Sequence, residues 1–400
     1  SVIPEIAAKI APEELYQLTG MPLTPTYSLE KLVWLKKHAP GRYAQARKVV
    51  FPADYALYQF GAERTFTEAT CACCSGLMDV RRLEWSERVL NALELDRDKF
   101  LPLVKPGTVV GKVSRDVSRR SGLAEGTLLV CSTGDQQAAA IGAGVIAEGR
   151  ASLTLGTAGL LVAGTSQLEL SKSPGLMAAS SGRVGLYELE GIQLGAASCY
   201  RWVRDLFFDA DVTGTAKSDW PENPYLRMER LLNTSRPGAN GIVFLPYLSG
   251  AGYPAWDPLA SGMFAGLRFT HTPADMMRAV VEGVVLESFD MYQHMKTAGV
   301  KLTSLAVTGG ATESAVWKQT IADVFGLEIR PLQVPNATLI GSAIFAGMGA
   351  GVFKDVEEGV ARTVRFAESV HPEPAHAEVF RQRYETYQQL GSKQTGAKGT

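Results

Sequence analysis

The sequence predicts an α/β protein, and three observations carry that prediction. Short apolar runs alternate with amphipathic helical segments along most of the chain, the pattern of strands and helices that share layers. At "TLLVCSTGDQQAAAIGAG", residues 127–144, an apolar run read as a buried strand leads through Asp135 into a helix of small residues. At "SLAVTGGATESAVWKQTIADVFG", residues 304–326, a second apolar run leads through Gly309 and Gly310 into another helix. Asp135 is the one charged residue of its stretch and falls at the carboxyl end of a predicted strand, the edge where open α/β sheets form ligand crevices. Its carboxylate suits two roles there: capping the free N–H groups of the helix that follows, or accepting a proton.

Taken in order, "LEKLVWLKKH" (29–38) sets Leu29, Leu32, Val33 and Leu35 to one side and lysines to the other, a helix packing on a sheet. "KVVFPADYALYQFGAE" (48–63) reads as a strand, a turn opened by Pro52 and a helix ending near Gly61, and "WSERVLNALEL" (85–95) as an amphipathic helix. "LPLVKPGTVVGKVS" (101–114) predicts short strands and turns. Beyond the Asp135 helix, residues 142–151 turn from helical spacing to strand alternation, which divides residues 1–147 from 148–390 as two domains. "SLTLGTAGLLVAG" (152–164) is two β-prone runs joined through Gly156 and Thr157. Residues 211–240 read as a surface excursion with a short helix at "PYLRMERLLN", followed by a strand in "GIVFLPYLSG" and a long helix over 273–299. The last residues, "GSKQTGAKGT", are expected to be disordered.

Composition narrows the setting. A chain of 400 residues at 46% hydrophobic content is enough for a large core. Its 40 Lys and Arg balance 41 Asp and Glu, which gives no electrostatic reason to expect nucleic acid or an anionic membrane as partner. No run approaches the roughly 18 apolar residues of a membrane span, and the start lacks the blocks of a signal peptide, so the expectation is a cytoplasmic protein. Five cysteines, three of them in "CACC", form no disulfide framework and no four-ligand metal set. Cys71, Cys73 and Cys74 therefore read as small buried residues.

Three places carry chemistry. The "LGTAG" turn at 155–159 offers closely spaced backbone N–H groups and the Thr157 hydroxyl, which suit phosphate oxygens or form an ordinary hairpin turn. The paired glycines at 309 and 310 allow the main chain to lie against a flat base, or a phosphate to sit at the next helix N-terminus. Asp135 is the one candidate of the three for moving a proton. Together these are the parts a kinase of small alcohols requires: held phosphates, neutralised charge and a base beside the attacking hydroxyl.

At this point the sequence resembles the FGGY carbohydrate kinases, with the xylulokinase branch the nearer. "GDQQAAAIGAG", "SLTLGTAG", "SGMFAGLRFTHTPADMMRAVVEG" and "VTGGATESAVWKQTIADVFG" stand in the family's order and spacing, and Gly262, Phe264, Gly266, Leu267, Asp275, Ala279 and Glu282 match a family signature. The resemblance runs from about residue 10 to about 390 and includes "RTFTEATCACCSGLMDVRRLEWSERVL". It implies an actin-like ATPase fold of two ribonuclease-H-like domains with the site in the cleft between them. It implies ATP and Mg²⁺, Asp135 as general base, Gly156 and Thr157 at the ATP phosphates, and Gly309, Gly310 and Ser314 near the adenine. The partner is then a small sugar or polyol, with no nucleic acid or membrane, and a homodimer is compatible with the family.

The departures are specific. The family opens with a strand and a D-x-G-T-T phosphate hairpin that this sequence does not contain, and the expectation is that the natural chain begins upstream of Ser1. Ser261 stands where many relatives carry Arg, and Arg201 where glycerol kinases tend to have an amide near the nucleotide. Gln136, beside Asp135, resembles glycerol kinases, whereas the run of the sequence points to a pentulose such as D-xylulose. Thr26 and Tyr27 fall where relatives approach the substrate, and both equally suit packing beside a helix. A non-catalytic actin-like nucleotide-binding protein is the alternative outside enzymes.

Overall fold

The computed structural model describes residues 1–63, 65–172, 174–208, 223–334 and 336–395, and over these the chain is α/β. Its centre is a six-stranded mixed sheet of β1 (Arg150–Leu155), β2 (Gly159–Thr165), β3 (Met177–Ser180), β4 (Tyr187–Gln193), β5 (Ser304–Thr308) and β6 (Ile329–Pro331). The order is β6-β5-β1-β2-β4-β3, with β5 parallel to β1 and β6, and the other neighbours antiparallel. Parallel neighbours need crossovers, and helices supply them: Pro273–Thr297 precedes β5, and Ala315–Phe325 joins β5 to β6. Pro273 at the first turn and a reciprocal Thr272/Asp275 capping box start the longer helix. Met277, Val280, Val281, Val284, Val285, Met291 and Met295 are all fully buried along it, so most of its surface is core.

Residues 1–142 fold as short helices clipped together by two-stranded ribbons. Their apolar core, including Ile6, Leu77 and Leu90, is continuous with Leu153, Val280 and Ile321 of the second half. The halves also meet through backbone: Ala178 N–H donates to Gly20 at 2.9 Å, and the Tyr16 hydroxyl donates to the Leu176 carbonyl at 2.8 Å. The helix Asp135–Gly142 crosses Ala337–Gly349 so closely that a Cβ on Gly142 would lie 1.9 Å from the Ala337 carbonyl oxygen, and one on Gly341 equally close to that of Ala138. That crossing is why "QQAAAIGAG" is built of small residues.

Several expectations are corrected. "TLLVC" is not a buried strand: among the described residues Leu128–Val130 pairs only with Val109–Lys112, so Leu129 turns inward while Leu128 is exposed. The strand expected before Pro52 is reduced to a single bridge from Val49 to Phe100, because the Pro52–Phe60 helix starts directly after it. The C-terminal helix Ala377–Thr395 runs through the first five residues of the expected disordered tail, held by burial of Tyr387 and Gly391, and residues 396–400 lie outside the described residues. Of the surface excursion, residues 211–222 lie outside the described residues, and Pro224–Leu232 is helical.

Candidate active site

Asp135 is the first residue of its helix, behind Gly134 as the N-cap. One of its carboxylate oxygens accepts the N–H of Gln136 at 2.9 Å, and no other hydrogen bond to the carboxylate appears among the described residues. Satisfying one adjacent amide leaves a second oxygen for chemistry, so the capping role is partial. The loop that presents it is fixed from the first half. Glu68, 2% exposed, accepts the N–H groups of Thr70 and Cys71 at 2.7 and 2.8 Å and the Thr70 hydroxyl at 2.6 Å. The Thr70 oxygen in turn accepts the Gly134 N–H at 2.8 Å. Burial pushes the Glu68 carboxyl up to about 7 against these hydrogen bonds.

Asp135 opens into a cavity of about 690 Å³ with walls from both halves. Tyr27, Cys71, Cys74 and Gln136 line it from the first half, and Met177, Glu188, Glu190, Thr338 and Ser342 from the second. Among the sequence candidates, Asp135, Gln136 and Tyr27 are thus brought together. Thr26 is not: it is exposed, and its carbonyl accepts a hydrogen bond from Lys31 at 2.7 Å in the turn before the Ser28–His38 helix. Cys73 is buried as expected, but Cys71 and Cys74 are only partly covered because they border this cavity.

The second centre is the β1–β2 hairpin. The Gly156 carbonyl accepts the Ala197 N–H at 2.8 Å, and the Thr157 carbonyl accepts the Ala196 N–H at 3.0 Å and the Ser198 hydroxyl at 2.7 Å. These contacts turn the carbonyls toward the Ala197–Phe208 helix and leave the N–H groups of Thr157 and Ala158 without a backbone acceptor among the described residues. Gly309 is packed onto the same hairpin: its φ is +98°, and a Cβ there would lie 2.4 Å from the Leu155 carbonyl oxygen. Arg201 reaches the Thr157 hydroxyl at 3.4 Å.

Gly310 and Ser314 line a separate cavity of about 540 Å³ with Ala197, Tyr200, Tyr225, Glu229 and Trp317. Its aromatic walls are ordered: Tyr200 meets Trp317 edge-on at 5.6 Å and stacks with Tyr225 at 6.2 Å. A Cβ on Gly310 would meet nothing within 4 Å, so the backbone borders open space. The helix N-terminus behind it is already filled. Glu229 accepts the N–H groups of Ala315 and Val316 at 3.0 and 3.3 Å and the Ser314 hydroxyl at 2.5 Å. A phosphate at that N-terminus would compete with a resident carboxylate. Ser314, bonded to Glu229 and to the Trp317 N–H, is committed to this cap.

Comparison with known proteins now has a geometry to attach to. The C-terminal domain of the FGGY family of carbohydrate kinases matches residues 151–350, and its N-terminal domain matches residues 1–142. The chain belongs to the FGGY family of carbohydrate kinases. Among curated relatives, a xylulose kinase of Staphylococcus epidermidis is 29% identical over 94% of this chain and 74% of its own length. An autoinducer-2 kinase of an Enterobacter species is 26% identical over 96% of this chain and 72% of its own length. The crystal structure of a gluconate kinase from Lactobacillus acidophilus superposes with a TM-score of 0.88 at 22% identity, covering 99% of this chain and 78% of that one. FGGY membership makes the two-domain actin-like architecture the fold of this chain.

Two of the signature residues of the FGGY resemblance, Asp275 and Glu282, hold the scaffold. Asp275 accepts the Ser235 hydroxyl and the Asn240 amide, both at 2.7 Å, and Glu282 accepts Arg278 Nε at 3.0 Å and the Gly238 N–H at 2.9 Å. They pin the 235–241 loop to the long helix. What sequence reasoning missed is the pair Glu188 and Glu190, the Glu68–Thr70 relay and Glu229. Only the first pair left a signal, since "YELEGIQ" puts both acids on one face of a period-two strand.

Proposed function

We propose that this chain transfers the γ-phosphoryl group of ATP to a hydroxyl of a pentulose such as D-xylulose. The observation that carries the reading is Asp135, held at a helix start with one carboxylate oxygen uncommitted, in a cavity lined from both halves. In this reading Asp135 accepts the proton of the attacking hydroxyl as the new P–O bond forms, and the Gln136 side chain orients a neighbouring hydroxyl. The free N–H groups of Thr157 and Ala158 hold phosphate oxygens, with Arg201 beside them, and Tyr200, Tyr225 and Trp317 enclose the adenine against Gly310. Residues 1–147 and 148–390 act as two domains that close on the substrates and exclude water.

Register supports the placement. Gln193 pairs with Gly159 at the hairpin, and Glu190, in the Asp135 cavity, pairs with Val162 three residues along. That separates the phosphate turn from the sugar cavity by roughly 10 Å along the strand. Mg²⁺ accompanies ATP in this reading, takes one or two carboxylates and completes its shell with phosphate oxygens and water; the uncommitted Asp135 oxygen is kept for the hydroxyl proton and is not assigned to the ion. When bound, the ion supplies positive charge to the phosphates.

The test is ADP release with ATP, Mg²⁺ and a panel of ketoses, polyols and aldonates. Asp135→Asn should lower turnover roughly 10²–10⁴-fold with little change in ATP affinity, because the lost group handles the hydroxyl proton. Near-normal turnover in that variant would remove Asp135 from the role. Gln136 favours a second acceptor, glycerol or a related polyol; turnover of glycerol without ketopentose turnover would select it.

A further inference from the structure

Glu188 and Glu190 lie two residues apart on β4, on the face opposite Leu189 and Gly191, and both line the cavity that holds Asp135. Glu188 is 1% exposed, and neither of its carboxyl oxygens makes a well-formed hydrogen bond among the described residues, although the Ser181 side chain lies close enough to favour its ionised form. A buried acid left unsatisfied is costly, and it is worth keeping where a ligand completes its hydrogen bonds. Among the described residues, none of the side chains lining this cavity is a lysine, arginine or histidine. No group of three or more His, Cys, Asp or Glu that could hold a metal ion occurs among the described residues.

We propose that Glu188 and Glu190 form a substrate subsite that takes the hydroxyl groups of a neutral polyhydroxylated sugar and rejects sugars bearing a carboxylate. This rests on the kinase reading above for the identity of the cavity. A hydroxyl both donates and accepts, so it satisfies a carboxyl in either protonation state. An aldonate would bring a further negative charge against Asp135 and Glu190, with no cationic side chain among the described lining residues to receive it. Burial, and then the Asp135 charge, pushes Glu190 up to about 7, and burial holds Glu188 well above the usual carboxylate range. Both acids are therefore able to donate as well as accept near neutral pH.

The experiment is calorimetric titration of the full chain with D-xylulose, D-gluconate and ATP, on wild type, Glu190→Gln and Glu188→Gln. Glu190 is the primary variant because it is only half-buried; Glu188→Gln is the second. Wild type should bind D-xylulose in preference to D-gluconate. Each variant should weaken D-xylulose binding roughly ten-fold, narrow the gap to D-gluconate and leave ATP affinity unchanged. D-gluconate binding as tight as D-xylulose in wild type, no binding of either sugar by a chain that binds ATP, or unchanged sugar affinities in Glu190→Gln would each overturn the subsite. D-xylulose binding that depends on Glu190 but never leads to ADP release would support the subsite and defeat the kinase reading.

Discussion

The two neighbouring glycines at 309 and 310 do different work, and substitution separates them. Gly309 is required by shape: at φ +98° and with the Leu155 carbonyl oxygen 2.4 Å from any Cβ, an alanine must both strain the backbone and push the hairpin away. Gly309→Ala should therefore cost more than about 2 kcal/mol in urea denaturation. Gly310 has neither constraint, since its Cβ position is open space beside the aromatic cavity. Gly310→Leu should leave stability within about 1 kcal/mol while its side chain fills the cavity and weakens ATP binding. Equal ATP affinity in wild type and Gly310→Leu would take this backbone out of contact with the nucleotide. From the sequence the pair was legible only as a tight turn before a helix, because the hairpin it packs against lies more than 150 residues earlier.

Between elements, the decisive contact is the crossing of Asp135–Gly142 with Ala337–Gly349, where each helix sets a glycine against a carbonyl of the other. Gly341→Ala places a methyl group 1.9 Å from the Ala138 carbonyl oxygen, so the helices must part and Asp135 must move with its helix. The expected result is a loss of about 1–3 kcal/mol in stability and a fall in kcat of up to roughly 100-fold. Wild-type stability and kcat in Gly341→Ala would show that the crossing relaxes without consequence for Asp135. How far the sequence carries at this scale depends on how local the cause is. The β1–β2 hairpin, the capped Pro273–Thr297 helix and the helix after Asp135 were readable because their turn residues, caps and periodicity are contiguous. The burial of "TLLVC" was not, because it depends on which strands pair with it. Glu229 capping the 315–325 helix was not readable either, since cap and helix are 86 residues apart.

Across the whole molecule, buried acids set an unusual dependence on pH. Glu30, Glu68, Glu190 and Glu282 are each pushed up to about 7, with burial the first cause in every case; Arg278 opposes it at Glu282, and the Asp135 charge adds to it at Glu190. In the unfolded chain these groups lose their protons near the ordinary glutamate value of about 4.3. Between that value and about 7 the folded protein holds protons that the unfolded chain has released. Stability must therefore fall as pH rises through this window, and Glu188 and Glu287, held well above the usual carboxylate range by burial, carry the fall beyond it. The urea midpoint should drop from about pH 5 to about pH 7.5, opposite to a protein whose carboxylates are mainly ion-paired in the folded state. Glu30→Gln offers a control away from the sugar cavity, because Glu30 is buried in the first half with one carboxyl oxygen unpartnered among the described residues. It should flatten part of the slope without altering the preference for D-xylulose over D-gluconate. A midpoint that rises from about pH 5 to about pH 7.5 would mean that these acids ionise freely in the folded chain, and the cost assigned to their burial would then be wrong.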